Sequence, residues 1–164
     1  MEAVQVSLKV CKSLVYNEVA KTTAYTGAKA STDEDSSAYD RIFTTEADKI
    51  ALETFWSETA NAATDTFKEF ITSVSSHPAS NGIDLSQDYE VSLLLSSSFD
   101  LLLKDSIESS LFSFFVASIV SKWFKYTNKD DVEAYQKTAL GMILDVQNKI
   151  YFRKKPKRVK PQTD

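Results

Sequence analysis

One histidine, one cysteine, three glycines and three prolines stand among 164 residues, and each scarcity closes off a class of chemistry. A lone cysteine, Cys11, forbids an intramolecular disulfide and any cysteine-based zinc site. It sits in a strand-like pattern with no histidine near it in sequence, which gives it no partner for nucleophilic work. The lone histidine, His77, lies between Ser76 and Pro78. A carboxylate-bridged metal centre in a helical bundle wants Glu-x-x-His on inward helix faces, and that spacing is absent. Serine is abundant enough that a Ser-His-Asp triad could be drawn on paper, and abundance argues nothing. Three scattered glycines cannot build a phosphate-cradling loop. So few glycines and prolines also favour helices over a turn-rich β fold. The expectation is a chain with no catalytic residue, no cofactor and no metal.

The N-terminus shows no charged segment followed by an apolar one, so no secretory signal is expected. The uncharged run of the most apolar stretch, from Ser109 to Ser121, is well short of the ~20 residues a membrane span needs. Synthesis in the cytoplasm and no membrane partner are the expectations that follow. Asp33-Glu34-Asp35 invites a test as a calcium loop, but the sixth position is Ala38 rather than Gly and the twelfth is Thr44 rather than Glu.

What the chain does have is a very apolar stretch at 105–127. Asp105 with Glu108 suggests a capped start. Ile107, Leu111, Phe115, Ile119 and Trp123 then recur every fourth residue, which predicts a helix. The opposite side carries Ser106, Ser109, Ser110, Ser113 and Ser121 interspersed with Phe114, Val120 and Phe124, where a surface helix would show Lys and Glu. Burying one Phe is worth about 1.5–3 kcal/mol, so this side also predicts burial. Two readings stand open. The helix is sheathed within one protomer, or the face bearing Ser109, Ser113, Phe114, Val120 and Phe124 meets another subunit.

The rest of the chain is organised about that helix. Val4, Val6, Leu8 and Val10 alternate with polar residues and predict a strand over 3–11. Leu14, Val15, Val19 and Thr23 predict a short helix over 14–26, closed by Gly27, and 28–40 reads as an acidic loop. Thr45 with Asp48 marks the start of a long helix whose stripe runs from Leu52 through Phe55, Trp56, Phe67 and Phe70 to Val74. It is predicted to end near Ser76, a length of about 45 Å at 1.5 Å per residue. Asn81-Gly82 marks a turn, and Tyr89, Val91, Leu93 and Leu95 predict a second strand over 88–97, paired with the first or with a neighbour's. Asn128 opens a last helix with Asp130, Asp131 and Glu133 in its first turn and Lys149 in its last, antiparallel to the central one. The fold class is therefore mainly α: a bundle of three to four helices with a small two-strand β element, one domain over 1–152 and a basic extended tail over 153–164. The predicted core gathers Phe55, Trp56, Phe67, Leu111, Phe115, Ile119, Trp123, Tyr135, Ile143 and Val146.

Charge divides sharply along the chain. Arg153, Lys154, Lys155, Lys157, Arg158 and Lys160 against Asp164 give the tail +5. With −4 overall, residues 1–152 carry −9. Such a body is no general nucleic-acid binder. The tail resembles a nuclear-localisation or nucleic-acid arm, a weakly specific pattern. It is equally suited to an acidic protein surface, and with half its residues basic it is expected to be ordered by a partner rather than by its own chain.

Four runs carry a family resemblance: Val19-Ala20-Lys21-Thr22-Thr23-Ala24-Tyr25-Thr26-Gly27-Ala28-Lys29, Tyr39-Asp40-Arg41-Ile42-Phe43-Thr44-Thr45, Phe55-Trp56-Ser57-Glu58-Thr59-Ala60-Asn61-Ala62-Ala63, and Ser106-Ile107-Glu108-Ser109-Ser110-Leu111-Phe112-Ser113-Phe114-Phe115. Over most of 15–158 the chain resembles small structural proteins encoded among the head and tail genes of tailed phages and prophages of gut Bacteroides-type bacteria. The resemblance implies a virion protein of the neck, best matched in size to a head–tail connector (adaptor or head-completion protein). Such proteins form a ring, commonly a dodecamer, between portal protein and tail. Its partners would be itself, the portal and tail or neck proteins, with DNA only as contents of the lumen. The resemblance brings no catalytic residues. The strands depart from the purely helical connectors, so a tail-terminator or other neck role stays open beside it, as does a nucleic-acid-binding accessory role.

Overall fold

The computed structural model describes residues 2–76 and 87–158. Its elements are β1 (Val4–Val10), α1 (Lys12–Ala30), α2 (Ala38–Ile42), α3 (Lys49–Thr66), β2 (Ile71–Val74), β3 (Tyr89–Leu95), α4 (Lys104–Thr127) and α5 (Val132–Tyr151). Four long helices and a small antiparallel sheet make the fold mainly α with minor β, as the periodicities require.

The sheet follows from two alternating strands. β1 and β3 pair antiparallel, with Val6 opposite Leu93 and Leu8 opposite Val91. Val6, Leu8, Val10, Tyr89, Val91, Leu93 and Leu95 are all buried on one face. Gln5, Lys9, Glu90 and Leu94 are exposed on the other. β3 is the middle strand, and β2 completes the order β1-β3-β2.

β2 corrects the helix predicted to run to Ser76. α3 stops at Thr66, and Phe67 folds back with its amide donating to the Thr64 carbonyl at 3.0 Å. Phe67 is fully buried, so the turn is pinned by its ring. Beyond it, β-branched Ile71, Thr72 and Val74 favour a strand, and the second edge of β3 needs partners. The Leu94 amide donates to the Phe70 carbonyl at 2.8 Å, and the Ser75 amide donates to the Glu90 carbonyl at 2.9 Å. The sheet bonds outweigh a helical stripe that Phe70 and Val74 happened to continue.

α1 is likewise longer than predicted and runs through Gly27 to Ala30. Gly27 is no helix stop: it lies inside the helix, buried, where a Cβ would come within 3.2 Å of the Tyr39 Cα. The missing side chain lets α2 pack closely. α2 itself lies in the stretch read as loop, with Ala38 and Ile42 buried on its inner side. The signal from Thr45 and Asp48 is a capping box: the Thr45 amide donates to Asp48 Oδ2 at 2.8 Å.

α4 starts at Lys104, one residue before the expected cap, and a 3-10 turn leads into it. Asp100, not Asp105, accepts from the Leu102 amide at 3.1 Å and opens a 3-10 turn, Leu101–Leu103, that runs into α4. Asn128 separates α4 from α5, but its carboxamide donates to Asp131 Oδ2 at 2.7 Å rather than accepting from the helix amides. The two helices form an antiparallel hairpin, with Tyr135 against Phe124 at one end and Lys149 against Ser110 at the other. By length and composition the 27 residues from Leu101 to Thr127 reach what a membrane span requires. They serve as the core helix, since α1, α3, α5 and β1 all pack on α4.

All ten predicted core residues join one cluster, with Phe55, Trp123, Tyr135 and Ile143 partly buried at its margin. Phe115 is its centre, with the rings of Trp56 and Tyr89 at 4.8 and 5.2 Å and that of Phe114 at 6.0 Å.

Candidate functional site

Phe114, Val120 and Phe124 lie inside the protomer and correct the reading that placed them on a subunit interface. The buried serines of α4 explain why that side lacks charge. The Ser110 hydroxyl donates to Asp145 Oδ2 at 2.6 Å, and Lys149 reaches the Ser110 Oγ at 3.1 Å. Ser118 shares a hydrogen bond of 3.1 Å with Thr59, and Ser121 donates to the Ser118 carbonyl at 2.8 Å. The small hydroxyl side chains thus admit α3 and α5 of the same chain. Ser109 is exposed and Ser113 half-buried.

The first tail residues dock on their own chain, against the expectation that only a partner could order them. The Lys154 amide donates to the Ser98 carbonyl at 3.1 Å, and its ammonium lies 3.0 Å from Asp100 Oδ1. That hydrogen bond holds the Asp100 carboxyl below the usual range. Arg153 turns back on the end of α5 and donates to the Ile150 carbonyl at 2.6 Å, satisfying a carbonyl that the helix leaves open. Lys155, Lys157 and Arg158 remain exposed. Lys160 and His77 lie outside the described residues.

This corner gathers features that sequence reading left scattered. The Tyr151 ring packs on Phe70 at 5.4 Å and its hydroxyl donates to Glu69 at 2.8 Å. That bond to Glu69 is the main cause holding the phenol above its ordinary value. On the segments that meet here, Leu94, Leu101, Leu102, Tyr151 and Phe152 are all exposed, Leu102 at 84%. Scattered single apolar residues are ordinary, but an apolar group rimmed by cations is not. Lys154 is the cation placed beside the Leu101–Leu103 turn, through its contact with Asp100, and Lys155, Lys157 and Arg158 follow it in sequence.

The other end of the α4–α5 hairpin has the opposite character. A cleft of about 400 Å³ opens there between Tyr25 and Lys29 of α1 and Asn128, Asp130, Asp131 and Tyr135. The Lys29 ammonium sits 4.6 Å from the centre of the Tyr25 ring. The acidic loop adjoins this end: Arg41 bonds Asp35 at 3.0 Å and donates to the Thr127 carbonyl at 3.1 Å.

A buried ionic cluster went unseen in the sequence. Lys12, next after the strand, places its ammonium 2.7 Å from Glu53 Oε2, and Tyr16 donates to Glu53 Oε1 at 2.7 Å. Lys12 and Glu53 are 3% and 6% exposed. The ammonium also lies 5.5 Å from the Trp56 ring centre. Burial, then the bond to Glu53, pushes the Tyr16 phenol far above its ordinary value, so it keeps its proton. Charge, hydrogen bonds and cation–π contacts are satisfied within the cluster, which makes it a clamp between α1 and α3. No local pattern links positions 41 apart in sequence, so only the fold reveals the pair. A cavity of about 330 Å³ beside Tyr16 is walled by Asn17, Phe43, Thr44, Lys49 and Leu52.

Cys11 is half-buried between β1 and α1, its Sγ 3.4 Å from Ser13 Oγ. Among the described residues no three His, Cys, Asp or Glu side chains are grouped to hold a metal ion. No family model, curated protein or solved structure matches this chain.

Proposed function

We propose that this chain is a structural virion protein of a tailed phage, a head–tail connector that forms a ring between portal and tail. It would be made in the host cytoplasm and act in the neck of the particle. The observation that carries the reading is the polarity of the α4–α5 hairpin. One end is apolar with a basic rim, at Leu102, Phe152 and Lys154; the other is a cleft bearing Asp130 and Asp131. Subunits that repeat around a ring need two different surfaces at separate places, and a closed rotation makes them meet. The resemblance of the 19–29, 39–45, 55–63 and 106–115 runs to neck-region proteins supports the same conclusion.

The test is position. Antibody labelling or density assignment in purified particles should place the chain at the vertex between head and tail. Its presence only in infected-cell lysate, never in the particle, would remove the virion role. A second reading, nucleic-acid binding through the tail, is favoured by the exposure of Lys155, Lys157 and Arg158. Deleting residues 155–164 separates the two: loss of DNA affinity with normal assembly supports the second.

A further inference from the structure

We infer that the Leu101–Leu103 turn of one copy inserts into the Tyr25–Asp130 cleft of the next, a head-to-tail contact that rests on the ring reading above. The turn is built as a knob. The Asp100 carboxylate holds it from both sides, accepting from the Leu102 amide at 3.1 Å and from the Lys154 ammonium at 3.0 Å. Leu102, at its tip, is 84% exposed, and no neighbouring element covers Leu101 fully. A leucine held this far into water on a braced turn is favoured to be covered by an apolar partner surface. Pre-bracing means that little conformational freedom is lost on docking.

The cleft is its complement in shape and sign. It is concave, about 400 Å³ in volume, and lined by Tyr25 and Tyr135 together with Lys29, Asp130 and Asp131. Tyr25 is 63% exposed. Lys29 lines the cleft and Arg41 reaches the Thr127 carbonyl at the same end, while Asp130 and Asp131 supply the cleft's carboxylates. On the knob, Lys104 and Lys154 beside its leucines are paired with Glu108 at 3.9 Å and Asp100 at 3.0 Å, and the exposed Lys155 follows them as the cation without a described partner. A leucyl side chain beside Tyr25 and Tyr135, with Lys155 reaching Asp130 or Asp131, gives the knob both apolar and charged partners in the cleft.

Geometry makes the contact intermolecular. The knob precedes α4 and the cleft follows it, and α4 has 24 residues, about 36 Å at 1.5 Å per residue. No copy can reach its own cleft. Where knob and cleft serve different neighbours the contact is heterologous and generates a ring or a filament; where both serve one antiparallel neighbour it closes as a two-fold dimer, so a wild-type mass that stops at two copies would overturn the head-to-tail contact.

The experiment measures mass in solution by light scattering for the full chain and two variants. Leu102→Asp disables the knob; Tyr25→Lys with Asp130→Lys disables the cleft. All three positions are exposed, so far-ultraviolet circular dichroism should match the wild type. The wild type is expected to be larger than a monomer and to shrink in 1 M salt, and each variant alone to be monomeric. An equimolar mixture of the two variants should give dimers and nothing larger, because it retains one working knob and one working cleft. Assembly untouched by either variant overturns this contact and leaves the ring reading standing. Wild type that stays monomeric while the chain is found in the neck of the particle overturns self-contact and keeps the neck position. A mixture that remains monomeric refutes the pairing of these two surfaces.

Discussion

Removing the Lys12 charge tests whether the α1–α3 clamp is truly interior. In Lys12→Met the Glu53 carboxylate, 6% exposed, loses the ammonium 2.7 Å away and keeps only the Tyr16 hydroxyl among the contacts described for it. Stripping one partner from a buried pair costs about 3–5 kcal/mol, since the remaining charge stays out of water. A domain of this size holds roughly 5–15 kcal/mol in all, so the loss is a large share. With a urea dependence of about 2 kcal/mol per molar, the unfolding midpoint should fall by about 2 M. Tryptophan fluorescence suits the assay because the Lys12 ammonium sits 5.5 Å from the Trp56 ring centre. The same physics predicts a rescue. Adding Glu53→Leu removes the stranded charge but leaves the Tyr16 hydroxyl without that acceptor, a cost of about 1–3 kcal/mol. Adding Tyr16→Phe as well should bring stability back to within about 1.5 kcal/mol of the wild type. If Lys12→Met alone unfolds within about 0.5 kcal/mol of the wild type, the pair is solvated and the clamp argument fails.

Phe115→Ala should cost about 3–5 kcal/mol by calorimetry, transfer plus cavity, because Trp56 and Tyr89 both rest on that ring. Gly27→Ala should destabilise by about 1–3 kcal/mol, since its Cβ meets the Tyr39 backbone at 3.2 Å. Gly141→Ala has open space and should instead stabilise by about 0.5–1 kcal/mol, so a matched pair of melting curves checks both signs. The docking of Lys154 on Asp100 should depend on pH in one direction. The carboxyl is held low in the folded chain by the Lys154 bond, so its contribution is full above the ordinary carboxylate range and is lost as pH falls through the lowered value. Amide exchange at Lys154 should quicken below that range, and in Asp100→Asn it should be quick at every pH.

The helices and the β1–β3 pair were legible because each is specified by side chains within one segment. The alternation of Val4 to Val10 and of Tyr89 to Leu95 can serve only a sheet with one buried face. The four-residue recurrence from Ile107 to Ile119 can serve only a helix. β2 was illegible for the converse reason. Phe67, Phe70 and Val74 continue a helical stripe from α3, and nothing local says that β3 has an unfilled edge. That edge is a tertiary fact, and it decides the segment through the bonds at Phe70 and Ser75. Gly27 misled in the same way: a glycine near the end of a pattern suggests a stop, whereas its use here is the approach of Tyr39.

The serine face shows how one sequence signal can support two structures. Small hydroxyl residues among phenylalanines say that something packs closely, without saying whether it belongs to the same chain. Ser110, Ser118 and Ser121 are answered by α5, α3 and the helix's own backbone, and with them Phe114, Val120 and Phe124 are consumed inside the fold. The surface left for a neighbour must lie where apolar groups remain uncovered; Leu101, Leu102 and Phe152 are such groups at one end of the hairpin, and Leu140 and Leu144 are others midway along α5. The charge split in sequence carried half of that information, because the basic residues are contiguous. The other half depends on Lys154 meeting Asp100, 54 positions earlier, once α5 runs back along α4. An antiparallel hairpin necessarily carries its last residues to the start of its first helix. A basic tail on such a hairpin is therefore delivered to the opposite end from Asp130 and Asp131, and the separation of sign follows from topology rather than from any local motif.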